Sequence, residues 1–391
     1  MKIAKITPWI FKYQANNTPA GARRRTMSDR NLVFVQVDTD EGLTGWGEVT
    51  TYPGRSANRA ICAFIRELND LLRGDDAARI EAAWHKVFRS HTYMGTRGAT
   101  SAAVSAIDIA LWDIRGKALG LPIYQLLGGA VRDRIPLYTH FPYADTPEQS
   151  ARNAGRSVQQ GAKALKTDPF HEARAGQTAY MRGEISREGE QKGVDIVAAV
   201  REAIGPSIEL LIDAHGLYNV PTAIRLANRL APYDITWFEE PVPPESYRAL
   251  QQVRAEVQTR ICVGERLHTR FEFVEVLEGR LADYIMPDVT WTGGISELKK
   301  ISTMAETYYV PVSPHDASGP INVLAGAHVM ATVPNFYRLE TIRADMSDYN
   351  SFIDHPLDVR DGDLFLSNRP GLGIEIDAAY VRANALPGFG S

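Results

Sequence analysis

IELLID at 208–213, ITWFE at 235–239 and ICVGE at 261–265 are short β-branched or apolar runs, and each ends in a carboxylate: Asp213, Glu239 and Glu265. The two intervals between these acids are equal and match the length of one βα unit, so the runs read as consecutive strands of a parallel sheet. The acids then hold equivalent places at the C-terminal ends of three neighbouring strands. In a barrel, that is the face where chemistry is kept. Any one of them could cap the helix that follows it, but three in register fit that role poorly. Converging carboxylates repel and are costly to desolvate unless a cation neutralises them. An all-oxygen donor set suits a hard ion such as Mg²⁺, with substrate filling its open positions.

The same texture runs in both directions from these strands. Short strand-like runs alternate with helical patterns from about residue 135, at 135–139, 162–166, 208–213, 235–239, 261–265, 283–287, 309–313 and 336–340. Eight such units are the count of a (β/α)₈ barrel. Downstream, Asp288 follows YIMP, His315 follows VPVSP, and Glu340 closes NFYRLE at nearly the same interval. Adjacent strands place Asp288 beside His315, and a carboxylate accepting one ring N–H fixes the imidazole tautomer that a general base needs. Glu340 is placed to hydrogen-bond a substrate carboxylate or to bridge strands. Upstream, Lys166 ends AKALK, where its ammonium can polarise a substrate carboxylate, and Asp168 lies two positions on. His215, two residues after Asp213, is expected on the same side of the strand by period-two alternation, which makes it a second acid/base candidate.

The chain opens differently. LVFVQVD at 32–38 and LTGWGEV at 43–49 flank a Thr-Asp-Glu-Gly turn and predict an antiparallel hairpin. Two helical stretches are expected next. In the second, Val104, Ile107, Leu111 and Ile114 form a buried stripe that Gly120 and Pro122 terminate. The 391-residue chain exceeds one average domain, and its net charge of −4 offers no basic field for nucleic acid. Cys62 and Cys262 lack any CxxC spacing and read as buried thiols. MKIAKITPWIF has no continuous apolar leader core and no stretch is long enough to span a bilayer, so a cytoplasmic enzyme is the expectation.

These residues resemble the enolase superfamily, in its mandelate racemase subgroup. The resemblance covers nearly the whole chain and rests on SAIDIALWDIRGKALGLPIYQLLGG at 105–129, IDAHG at 212–216, WFEEPV at 237–242 and GERL at 264–267, together with MPDVTWTGGISE at 286–297, SPHDASGPI at 313–321 and PGLGIEID at 370–377. It implies an α/β fold: a TIM-type (β/α)₈ barrel at 126–360, capped by an α+β domain at 1–125 to which the tail 361–391 returns. It also implies that Asp213, Glu239 and Glu265 hold Mg²⁺, that Lys166 contacts the substrate carboxylate, and that Asp288 and His315 form a dyad. Loops near 14–30 and 50–54 would select the substrate, a small sugar acid, and a homo-oligomer, from dimer to octamer, is expected.

Two departures narrow the chemistry. Racemases of the subgroup carry Lys-x-Lys on the second strand, whereas the second lysine position is Asp168 here. A base on one side alone cannot readily return a proton to the other face. Asp213-x-His215 instead resembles aldonate dehydratases of the D-galactonate type, in which the extra histidine protonates the departing hydroxyl. A proton next to a carboxylate is too weakly acidic for an imidazole unless the developing charge is stabilised, as Mg²⁺ and Lys166 would do; enolase-superfamily sites are themselves the standing example of this arrangement. Rival expectations are an aldarate dehydratase or lactone cycloisomerase, with Arg23, Arg24, Arg25 or Arg97 holding a second carboxylate, and a non-catalytic sugar-acid-binding protein.

Overall fold

The computed structural model describes residues 1–13, 31–49, 55–170, 182–342 and 346–389, and its first strands form an antiparallel meander. The order is β1 (Ile3–Lys12), β2 (Asn31–Thr39) and β3 (Thr44–Val49). β2 and β3 are the predicted hairpin. β1 has no counterpart among the predicted strands, because it is buried along nearly its whole length and so lacks the polar–apolar alternation that marks a half-buried strand. Ile6 and Ile10 on one face join the core under the helices, and Phe11 on the other face meets Phe352 edge-on.

Three helices follow where two were expected: α1 (Arg55–Leu72), α2 (Ile80–Ser90) and α3 (Ala99–Leu119). α3 ends as the sequence predicts, with Gly120 in the left-handed region at φ 67°. It lies close against β3. A side chain at Gly47 would put its Cβ 1.8 Å from the Ala106 carbonyl oxygen, so glycine there is what allows the approach.

The barrel strands are β4 (Ile135–His140), β5 (Ala164–Thr167), β6 (Glu209–Asp213), β7 (Trp237–Glu239), β8 (Ile261–Val263) and β9 (Tyr284–Ile285). All pair parallel in that order. The expected seventh strand is reduced to Val312, bridging Ile285 and Phe336. Pro311 and Pro314 flank it and supply no N–H to a ladder. β10 (Leu339–Thr341) then pairs with β4 and closes the ring.

The tail runs back to the N-terminal sheet. Leu386 N donates to the Ile10 carbonyl at 2.7 Å, and Leu372 N donates to Asp113 of α3 at 2.9 Å. PGLGIEID at 370–377 makes one bridge near its end, Ile376 to Ile353, and a short helix follows at Ala378–Ala383. Helix α3 is tied to the barrel through Asp108, which accepts hydrogen bonds from Ser296 N and Oγ. Cys62 and Cys262 are both buried and free. Among the described residues, no helix is long and apolar enough to cross a membrane.

Candidate active site

Strand alternation stacks two inward layers in the barrel. Tyr138, Ala164, Leu211 and Trp237 join Cys262 and Met286 in an apolar plug. Two residues further along the same four strands stand His140, Lys166, Asp213 and Glu239, so the layer above the plug is polar.

Asp213, Glu239 and Glu265 each bring one oxygen to a common point, all within 4.8 Å of one another. Asp213 and Glu239 are paired in register across β6 and β7. Glu265 is presented by the turn at Gly264, whose φ of 137° and close contact with Phe273 and the Met286 backbone require glycine. Full charges this far apart repel by roughly 3 kcal/mol per pair at an effective dielectric near 20. Burial first, and then the charge of Asp213, push Glu239 well above the usual carboxylate range, although Lys166 opposes them. Burial acts in the same direction on Glu265, but Arg266, 2.9 Å from it, and His315 prevail and hold it low.

Lys166 is buried with its Nζ against Glu239, 3.0 Å from Glu340 and 3.2 Å from Asp213. Burial alone would lower its pKa; the three carboxylates outweigh burial and raise it well above the ordinary lysine value. One ammonium among this many carboxylates leaves the cluster anionic. A buried, net-negative, all-oxygen donor set fits a hard divalent cation, so the residues present suit Mg²⁺.

A histidine stands on each side of this triad. His315 Nδ1 meets Asp288 Oδ2 at 2.8 Å, and its Nε2 lies 3.1 Å from Glu265. Burial opposes the charged imidazole, but Glu340, Asp288 and Glu265 raise its pKa well above the usual value. The other oxygen of Asp288 accepts from Thr290 N and Oγ1 at 2.8 and 2.7 Å and from Asn322 Nδ2 at 3.3 Å. On the opposite side, His215 Nδ1 is 3.2 Å from both Asp168 and Asp213.

The reason for His215's position differs from the expected alternation. β6 ends at Asp213, and His215 lies in a left-handed turn at φ 52°, held by a 2.7 Å bond from its own N–H to Asp213 Oδ1. An Asx-type turn, not the pleat, aims the ring.

The remaining predicted residues separate. Glu340 joins the cluster: its Oε1 receives Lys166, and its Oε2 accepts from Asp316 N at 3.2 Å. Asp168 is buried beside His215. Arg97 is mostly exposed, and its guanidinium is committed to Glu272 at the start of the helix after β8, not to the triad. Arg23, Arg24, Arg25 and the loops 14–30 and 50–54 lie outside the described residues. Sequence reasoning missed His140, Thr290, Asn322 and Arg266. For His140 the signal was present, since it ends the first barrel strand in the same layer as Lys166, with which it is in register. Thr290 and Asn322 carried none.

Residues 149–380 match the family model described as enolase C-terminal domain-like, and residues 5–128 match the N-terminal domain of mandelate racemase/muconate lactonizing enzyme. A D-galactonate dehydratase of Pectobacterium atrosepticum is 37% identical over 358 residues, covering 89% of this chain and 90% of that one. A D-xylonate dehydratase of Haloferax volcanii is 32% identical, covering 93% and 88%. The crystal structure of a mandelate racemase/muconate lactonizing enzyme-like protein from Rubrobacter xylanophilus superposes with a TM-score of 0.88 at 33% identity, over 99% of this chain and 98% of that one.

Proposed function

This chain belongs to the enolase superfamily, in its mandelate racemase/muconate lactonizing subgroup, and from that premise we propose that it is a sugar-acid dehydratase acting on aldonates of the D-galactonate or D-gluconate type. The observation that carries this reading is the pair of carboxylate-supported histidines on opposite sides of one metal-binding triad. A racemase needs a base on each face of the reacting carbon. A dehydratase needs a base at C2 and an acid at C3, and two histidines with separate carboxylates supply one of each.

Asp213, Glu239 and Glu265 would hold Mg²⁺, which supplies Lewis-acid stabilisation of the charge that moves onto the substrate carboxylate. Lys166 binds that carboxylate by ion pairing from a buried, pre-oriented position, so little reorganisation is needed as charge develops. His315 removes the C2 proton through Nε2. Asp288 accepts its Nδ1–H, which would leave Nε2 as the basic nitrogen once Glu265, 3.1 Å from it here, is engaged by the metal. As the C2 electron pair moves toward C3, the C3–O bond breaks and His215 delivers a proton to the departing hydroxyl, releasing water. The remaining enol takes a proton at C3 and becomes a 2-keto-3-deoxy acid. Asp168 stands 3.2 Å from His215 Nδ1, as Asp213 does, while the turn closed on Asp213 aims the ring. Residues 1–125 with the tail form the cap over this mouth, a reading supported by Leu386 bonding β1 and by Asn322 N donating to Glu48 of β3 at 3.0 Å.

The relatives include enzymes named for a six-carbon and a five-carbon aldonate, which supports a monocarboxylate substrate of five or six carbons. The test is a screen of aldonates and aldarates for Mg²⁺-dependent 2-keto acid formation. Turnover of at least one five- or six-carbon aldonate is expected. Turnover confined to diacids would replace this reading with an aldarate dehydratase, and no keto acid from any substrate would remove the dehydratase reading.

A further inference from the structure

His140 is the member of the polar layer to which no role has been given. It ends β4, two residues beyond Tyr138 of the plug and in register with Lys166. Its Nε2 lies 2.6 Å from Glu340 Oε1, the same oxygen that meets Lys166 at 3.0 Å. Its Nδ1 is 3.2 Å from the Tyr143 hydroxyl. A carboxylate only accepts, so Nε2 carries the proton, and Nδ1 is left to accept from the tyrosine. Burial, and then the neighbouring Lys166 charge, disfavour the imidazolium; Glu340 favours it, and the balance lies toward the neutral ring. His140 thus adds a donor to the cluster without adding a charge.

The geometry around Glu340 shows what this donor does. Lys166 is drawn toward Asp213 and Glu239 on one side and Glu340 on the other. Those first two are metal ligands, so an ammonium that collapsed onto them would leave the place from which it meets a substrate carboxylate. Glu340 is the counterweight, and it can serve only if its own rotamer is fixed. Asp316 N–H fixes Oε2, and His140 fixes Oε1. We propose that His140 is a positioning residue for the reaction, holding Glu340 in the orientation that keeps Lys166 on the substrate carboxylate. It acts through the Glu340–Lys166 pair and not on the reacting carbons.

The proposal rests on the dehydratase reading for its kinetic test but not for its spectroscopic one. In kinetics on the Mg²⁺-loaded enzyme with an aldonate, His140→Leu should lower kcat/KM by roughly 10- to 100-fold, the usual range for a partner that orients a reacting group. Dehydration and washout of the C2 hydrogen into D₂O should fall by the same factor, because Lys166 acts before the two outcomes diverge. His140→Gln, which keeps an N–H near the Nε2 position, should recover most of the loss. A purely structural role predicts equal damage from both variants. A fall in dehydration alone, or a His140→Leu enzyme at near wild-type rate, would overturn the proposal. The imidazole ¹⁵N spectrum of the substrate-free full chain gives the independent reading. His140 should appear as the neutral tautomer protonated at Nε2, and its signals should move in Glu340→Gln. A proton on Nδ1, or signals indifferent to Glu340→Gln, sinks the idea whether or not any aldonate is turned over.

Discussion

His315 and His215 flank the same three carboxylates and each is paired with an aspartate, yet they are held by different means. Asp288 spends one oxygen on His315 and has the other locked by Thr290 and Asn322, so the His315 ring is oriented by a carboxylate that cannot turn. His215 is instead placed by its own backbone, in a left-handed turn closed on Asp213 Oδ1, with its Nδ1 equidistant from Asp168 and the metal ligand Asp213. The first arrangement favours a base that must be aligned before charge develops. The second couples a histidine to the triad itself, where a proton donor can respond to charge already delivered.

The largest effect should come from breaking the His315 side. His315→Asn is expected to lower both dehydration and C2 hydrogen exchange by roughly 10²–10⁴-fold or more, read by proton NMR in D₂O, since removal of the C2 proton precedes both. Retained exchange in this variant would place the base elsewhere. His215→Asn sharpens the contrast. It should lose dehydration to a similar extent while the C2 hydrogen continues to wash out, because His315 can still take and return the proton; loss of both activities together would put His215 at the first step as well. The smallest effect separates the two aspartates. Asp288→Asn should slow exchange and dehydration alike by roughly 10- to 100-fold, whereas Asp168→Asn should slow dehydration within that range and leave exchange untouched. Equal behaviour of the two variants would mean that the aspartates do not belong to different steps.

Much of the site was legible because it depends on periodicities that short-range sequence obeys. The βα repeat brings Asp213, Glu239 and Glu265 to one level, and the same repeat carries Asp288, His315 and Glu340 round the ring. That level is set by chain length per unit, so no knowledge of side-chain packing was needed. The buried N-terminal strand escaped because burial on both faces erases alternation.

Tertiary structure alone decided which polar groups meet. Asp168 could have faced the substrate as the second lysine of a racemase does, and only the fold turns it to His215, across β5 and β6. Asn322 reaches Asp288 from a helix on the next βα unit, and Glu48 crosses from the N-terminal sheet to that helix. His140 and Glu340 are far apart in sequence and touch because the barrel closes between its last and first strands. Sequence by itself thus determined which residues stand at the mouth, since strand period and repeat length are local. Their hydrogen-bond partners were decided by the folded chain, because a bond a few ångströms long depends on ring closure and side-chain rotamers, which no local pattern encodes.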